Sequence, residues 1–220
     1  MNILCIETAT TMCSVCIASE EKVLAIREVN QGYTHAENLH VFIGEILIEA
    51  GLTWKDISAV AVSKGPGSYT GLRIGVSATK GFCYALNIPL ISVDTLAALT
   101  VGVLSSEDIY YCPMLDARRM EVYCAVYDQD LTMKLPVEAL VLDEVSVRKF
   151  DLGKPVCFFG EGMPKAKTLL EKIPGATFKE NIAPSSGYMA QIAFAKFKEK
   201  QFEDTAWFEP FYLKDFFTKK

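Results

Sequence analysis

The chain has 220 residues, half of them hydrophobic, enough for one large core or two modest ones, and two compact lobes are the expectation. Its longest apolar stretches are cut by Asn87, Pro89 or Gly102, short of the roughly 18 residues a membrane-crossing helix needs, so a membrane protein is not expected. A net charge of −5 excludes a protein that grips nucleic acid through its own field.

The opening Met1-Asn2-Ile3-Leu4-Cys5-Ile6-Glu7 has no basic start and no small-residue cleavage site, so no signal peptide is expected. Seven cysteines, an odd number within apolar segments, fit a reducing compartment, and the expected location is the cytoplasm. Residues 3–8, 13–19 and 22–29 read as three short strands separated by turn-like segments. Cys13 and Cys16 form a C-x-x-C spacing, but no second pair or nearby His completes a site, and on a strand they point to opposite faces. Core packing is their expected role.

Residues 35–51 read as a helix, with Leu39, Phe42, Ile43, Ile46, Leu47 and Ala50 on one face and Gly51 as the stop. A buried strand at 57–63, a helix at 70–86 and a strand at 89–93 complete a βββαβα order. The second half repeats the rhythm, with strands at 109–115, 122–127 and 134–142, a short helix near 143–149, an apolar strand at 155–159, and helices at 164–172 and 187–200. The expected lobes are residues 1–104 and 105–220, with the tail beyond Trp207 either staying in the second lobe or crossing back to the first. A cleft between lobes is the expected place for a ligand.

Four segments have chemical potential. Glu7, Thr8 and Thr10 follow the first strand, where a carboxylate and two hydroxyls can meet a phosphate or its metal, or simply close a hairpin. The run Gly65-Pro66-Gly67-Ser68-Tyr69-Thr70-Gly71-Leu72-Arg73-Ile74-Gly75 leaves a strand and opens a helix, an arrangement that attracts anions. It fits neither the P-loop nor the dinucleotide fingerprint, and a tight turn capped by Ser68 or Thr70 explains it equally well. Asp116 ends a strand, either as the second lobe's acidic group or as the closing residue of a turn. His35 and His40, the only histidines, are spaced so that they do not share a helical face.

The two long helices hold more apolar strips than a monomer needs to bury. Gly75 and Gly81 each cost the second helix about 1 kcal/mol relative to alanine, which predicts close packing against another backbone. Leu72, Val76, Thr79 and Cys83 form one stripe, and Arg73, Ser77, Lys80 and Tyr84 another. Val41, Gly44 and Ile48 form a second strip on the first helix. The candidate partner surface is therefore Val41, Gly44, Ile48, Leu72, Arg73, Val76, Lys80 and Cys83, with packing inside the lobe as the alternative.

The opening strand with Glu7-Thr8-Ala9-Thr10, the glycine-proline run, Asp116-Ala117-Arg118 with Glu121-Val122-Tyr123, and Glu209-Pro210 with Tyr212-Leu213-Lys214 together resemble the TsaB (YeaZ-like) family of bacterial tRNA threonylcarbamoyladenosine biosynthesis proteins. The resemblance spans almost the whole chain. It implies an α/β actin-like ATPase fold (ASKHA, ribonuclease H-like) with two lobes, each built on a βββαβα unit. It implies a non-catalytic scaffold that supports the catalytic paralogue TsaD, with TsaE acting on the assembled pair, tRNA met only through the complex, and a homodimer in isolation. TsaD-type sequences carry an H-x-x-x-H metal pair where this chain has Thr95 and Leu99, so no metal or other cofactor is expected. Residual nucleotide contacts through Glu7, Thr8, Thr10, Gly65, Gly67 and Asp116 stay open. The rival readings are a small-molecule kinase or ATPase of the same superfamily, a metal-dependent glycopeptidase, and an interaction module linked to cell envelope physiology.

Overall fold

A computed structural model describes residues 1–20, 22–32 and 34–214. The chain forms two compact units, the first made of residues 1–98 with 184–212, the second of residues 99–183 with Leu213 and Lys214. The expected division at 104/105 thus differs from the packing, because residues 184–212 return to the first unit.

The first unit is a five-stranded sheet ordered β3-β2-β1-β4-β5. Strands β1 (Asn2–Glu7), β2 (Cys13–Ser19) and β3 (Val23–Val29) form an antiparallel meander, and β4 (Ile57–Gly65) and β5 (Leu90–Asp94) add in parallel beyond β1. Alternation sorts the side chains of β1. Leu4 and Ile6 pack with Val15, Ile17, Val60 and Val62 under α1 (His35–Glu49) and α2 (Tyr69–Leu86). Ile3 and Cys5 pack with Cys16, Ala59, Ile91 and Val93 on the opposite face, under α5 (Ser186–Lys198). Both faces of the central strands are therefore dry, and β1, β2 and β4 read as near-continuous apolar runs for that reason. Helix α1 ends just before Gly51, whose φ of +66° stops it as expected. Helix α2 is capped by Ser68, whose Oγ accepts from the Gly71 amide at 3.3 Å, and closes at Asn87 in the left-handed region.

The second unit has the sheet order β10-β9-β6-β7-β8, with β6 (Tyr110–Asp116), β7 (Glu121–Tyr127), β8 (Met133–Val141), β9 (Val156–Phe159) and β10 (Ala176–Lys179). Its pairing repeats the first unit's plan, three antiparallel strands followed by two added in parallel. Helix α4 (Met163–Leu170) places Met163, Ala166 and Leu170 on a core of Cys112, Met114, Val122, Phe150 and Phe158. The helix expected near 143–149 is a single 3-10 turn, Ser146–Phe150. Three elements escaped the sequence reading: β10, the 3-10 turn Trp54–Asp56, and the short helix α3 (Thr95–Val101) directly after β5. The helix expected at 187–200 is α5, but it covers the first unit's sheet. Its seat is polar at the start, where Ser14 Oγ bonds Ser186 Oγ at 2.7 Å and accepts from the Ser186 amide at 2.8 Å.

Candidate interaction surface

At the end of β1, the residues considered for phosphate contact are spent on the protein itself. Glu7 is fully buried, and its Oε1 accepts from the Ala9 amide at 2.6 Å and from Ser63 Oγ at 2.9 Å. Thr8 Oγ1 donates to the Gly71 carbonyl at 2.8 Å. Thr10 Oγ1 accepts from the Met12 amide at 3.2 Å, and the Thr10 carbonyl accepts from His35 Nε2 at 2.8 Å. The glycines of the 65–75 run let α2 press on this hairpin. A Cβ at Gly67 would stand 2.3 Å from the Ala9 carbonyl oxygen, one at Gly71 would stand 2.1 Å from that of Thr8, and one at Gly75 would stand 2.3 Å from Thr8 Oγ1. Gly65, at φ +111°, meets the Phe211 carbonyl oxygen in the same way, at 2.7 Å. The glycines of this run thus serve close packing of α2 and the strap on the hairpin. Asp116, in the second unit, closes its turn through the Arg118 amide at 2.7 Å and accepts from Lys165 Nζ at 2.6 Å.

The helix faces separate the candidate partner residues. Leu72, Val76 and Cys83, at 1%, 4% and 2% exposure, point into the sheet with Thr79, so they belong to the core and not to a surface. Burial pushes the Cys83 thiol up to about 12. Val41 and Ile48 on α1 are open at 55% and 82%, and Tyr84 on α2 at 87%. Gly44 lies between the first two, with nothing within 4 Å of a Cβ built there. Gly81 is equally open, so no described residue of the chain supplies the close backbone expected there. Between the helices runs a groove of about 510 Å³, lined by His35, Ala36 and His40 from α1 and by Ile74, Ser77, Ala78, Gly81 and Phe82 from α2.

Arg73 and Lys80 have partners within the first unit. Residues 203–212 run back along α2 as a strap, starting where the Glu203 amide bonds the Leu90 carbonyl at 2.9 Å. Lys80 Nζ donates to the carbonyls of Ala206 and Phe208 at 2.9 and 3.2 Å. Phe208 packs on the core beneath the two helices. The Phe211 amide donates to the Lys64 carbonyl at 2.7 Å. Arg73 Nε donates to the Tyr212 hydroxyl at 3.1 Å, and its guanidinium sits 4.1 Å over the Tyr69 ring. The strap leaves Trp207 83% exposed and frames a second groove, of about 600 Å³, with Lys80, Gly81 and Tyr84. Sequence reasoning left open whether the tail beyond Trp207 crosses back to the first lobe; residues through Tyr212 pack with the first unit, and the aromatic residues Phe202, Trp207, Phe208, Phe211 and Tyr212 cluster along this segment.

Thr95 and Leu99 sit one turn apart on α3, both fully buried. A hydroxyl and an alkyl group do not supply the two nitrogen donors that a histidine pair would, so the residues present do not fit the family's metal. Among the described residues, no group of three or more His, Cys, Asp or Glu side chains converges to hold an ion.

The family model for TsaD, tRNA N6-adenosine threonylcarbamoyltransferase, matches residues 28–215. The tRNA threonylcarbamoyladenosine biosynthesis protein TsaB of Bacillus subtilis is 28% identical over 97% of this chain and 94% of its own length. Among solved structures, a Pseudomonas aeruginosa protein described as similar to peptidase YEAZ superposes with a TM-score of 0.83 at 24% identity, over 97% of this chain and 99% of that one. The activator of the 2-hydroxyisocaproyl-CoA dehydratase from Clostridium difficile, at 11% identity and a TM-score of 0.52 over 91% of this chain and 97% of that one, shares the fold alone. The doubled sheet plan is that of the actin-like ATPases. With most of its length matched by the family model, this chain belongs to the TsaD family, tRNA N6-adenosine threonylcarbamoyltransferase, and its relatives there are the TsaB proteins.

Proposed function

We propose that this chain works in tRNA threonylcarbamoyladenosine formation as a non-catalytic subunit, pairing through the open face of α1 and α2 with a TsaD-type catalytic subunit. TsaE joins the assembled pair, and tRNA is met only through the complex, in keeping with the net charge of −5. The observation that carries the reading is the exposed apolar face itself. Val41 and Ile48 on α1 and Tyr84 on α2 are open to solvent, and an apolar groove runs between the two helices, whose opposite sides already fill the core. Exposed aromatic and aliphatic groups around a concave apolar floor are the makings of a protein interface. Thr95 and Leu99 in place of a histidine pair, and the internal bonds of Glu7, Thr8 and Thr10, support partnership over the kinase and glycopeptidase readings.

The test is reconstitution of threonylcarbamoyl transfer from the purified TsaD- and TsaE-family subunits of the same organism, with and without this chain. Activity is expected only when this chain and the TsaD-type subunit are both present. Transfer by this chain alone refutes the non-catalytic role, and unchanged levels of the modified nucleoside in tRNA after depletion refute the pathway. In isolation the same helices are expected to form a homodimer, and Ile48→Glu is expected to return it to monomer in sedimentation velocity.

A further inference from the structure

Cys16 does not meet Cys13, the neighbour that its C-x-x-C spacing suggests. The two face opposite sides of β2, Cys13 among the core residues under α1 and α2, and Cys16 among those under α5. The residue that faces Cys16 is Cys5, directly across the antiparallel β1–β2 ladder. Both are fully buried on the α5 side, with free thiols. Among the described strands no other two cysteines stand opposite each other. Opposed side chains hold their Cβ atoms about 4.5–5.5 Å apart and a disulfide takes about 3.5–4.5 Å, so a shift of about 1 Å closes the pair.

Cys16 also differs chemically from the other thiols. Burial pushes Cys13 up to about 11 and Cys83 and Cys124 up to about 12, and it raises Cys112 and Cys157 as well. Cys16 goes the other way. The Cys5 thiol donates to its sulfur and the Ser186 hydroxyl adds a second bond, which together hold it below the ordinary value against its burial. Cys5, the donor of the pair, is raised by that bond and by burial. Ser186 is the first residue of α5 and is tied to Ser14 on β2. One sulfur is thus favoured as thiolate and the other stands ready to resolve, the division found in reactive dithiols. Helix α5 covers them, seated on that face by Met189, Ala193 and Phe194.

We propose that Cys5 and Cys16 form a thiol–disulfide exchange site, which a small disulfide such as oxidised glutathione converts to a cross-strand bond when the first turn of α5 lifts. The Cys16 thiolate attacks one sulfur of the small disulfide, whose S–S bond breaks and releases one thiolate with the electron pair. The Cys5 sulfur then attacks the Cys16 sulfur of the mixed disulfide and expels the second thiolate. The two released thiolates take up the protons lost by Cys16 and Cys5. The protein pair is thereby oxidised, and the small disulfide is reduced to two thiols. The new bond closes a ring over residues 5–16, the hairpin on which α2 packs. This site is independent of the partnership proposed above.

The test is incubation of the full-length chain with oxidised glutathione in native buffer, followed by alkylation and mass spectrometry of proteolytic peptides. The expected product is one internal disulfide joining Cys5 to Cys16, with the other cysteines alkylated. Cys5→Ser is expected to stop at a glutathione adduct on Cys16. Met189→Ala thins the seat of α5 and is expected to speed closure about tenfold. Adducts on other cysteines while Cys5 and Cys16 stay reduced overturn the inference. So does a Cys5–Cys16 bond that forms only in urea, at the rate of global unfolding, or a closure rate that Met189→Ala leaves unchanged. Mapping of the wild-type chain decides the matter even where a variant fails to fold.

Discussion

Gly75→Ala tests the packing of α2 on the β1–β2 hairpin, which organises the whole first unit. The added Cβ would lie 2.3 Å from Thr8 Oγ1 but at ordinary contact from Val62 Cγ2 (3.4 Å) and Ile6 Cγ2 (3.6 Å), so Thr8 alone must yield. Thr8 is fully buried, and turning its hydroxyl away breaks the 2.8 Å bond to the Gly71 carbonyl. A buried hydroxyl stripped of its partner costs about 1–3 kcal/mol, against the ~1 kcal/mol of helix propensity that alanine restores. The net loss is about 0–2 kcal/mol, a melting-temperature drop of up to about 8 °C for a chain of this size. Thr8→Ala removes the obstructing oxygen, so Gly75→Ala in that background stabilises, and the double-mutant cycle shows a coupling of about 2 kcal/mol. Both tryptophans, Trp54 and Trp207, lie in the first unit, which makes tryptophan fluorescence the direct readout of its unfolding. Equal effects of Gly75→Ala in the two backgrounds would refute the contact as the reason for the glycine.

His35 supplies a pH dependence. Burial holds its pKa below the ordinary value, outweighing the opposing bond to the Thr10 carbonyl, so near and below pH ~6.5 the unfolded chain binds more protons than the folded one. Stability is therefore complete above that pH and falls as the solution is acidified, and His35→Gln is expected to flatten this part of the urea-midpoint profile; an unchanged profile assigns the slope to other groups. Lys80→Met keeps the aliphatic stem but removes the ammonium that holds two strap carbonyls, for an expected loss of about 1–2 kcal/mol and faster tryptic or chymotryptic nicking within residues 203–212. Unaltered cleavage would mean that Phe208 packing and the Phe211–Lys64 bond hold the strap without it.

Local order was largely legible in the amino-acid sequence. The apolar run of residues 13–19, the Gly51 stop and the Ser68 cap depend on neighbours a few residues away, and they stand where such rules put them. The doubled strand order followed from the same patterns, and the short β10 escaped them because its four residues alternate too briefly to register. The Thr95–Val101 helix escaped because its seven residues make barely two turns, too few for a 3.6-residue period to register.

The tertiary structure decided which periodic stripe faces inward and which segment covers which sheet. Leu72, Val76 and Cys83 share helical spacing with Arg73 and Lys80 shifted by one residue, and only the sheet beneath α2 makes the first set core. Gly75 and Gly81 look alike in sequence, yet one is crowded by Thr8 and the other is open. Helix α5 and the strap close on the first unit through contacts spanning more than a hundred residues, such as Ser14 with Ser186 and Lys80 with Ala206. Periodicity describes one element at a time, whereas burial is a property of two elements meeting, and the chain between them carries no local mark of where they will meet.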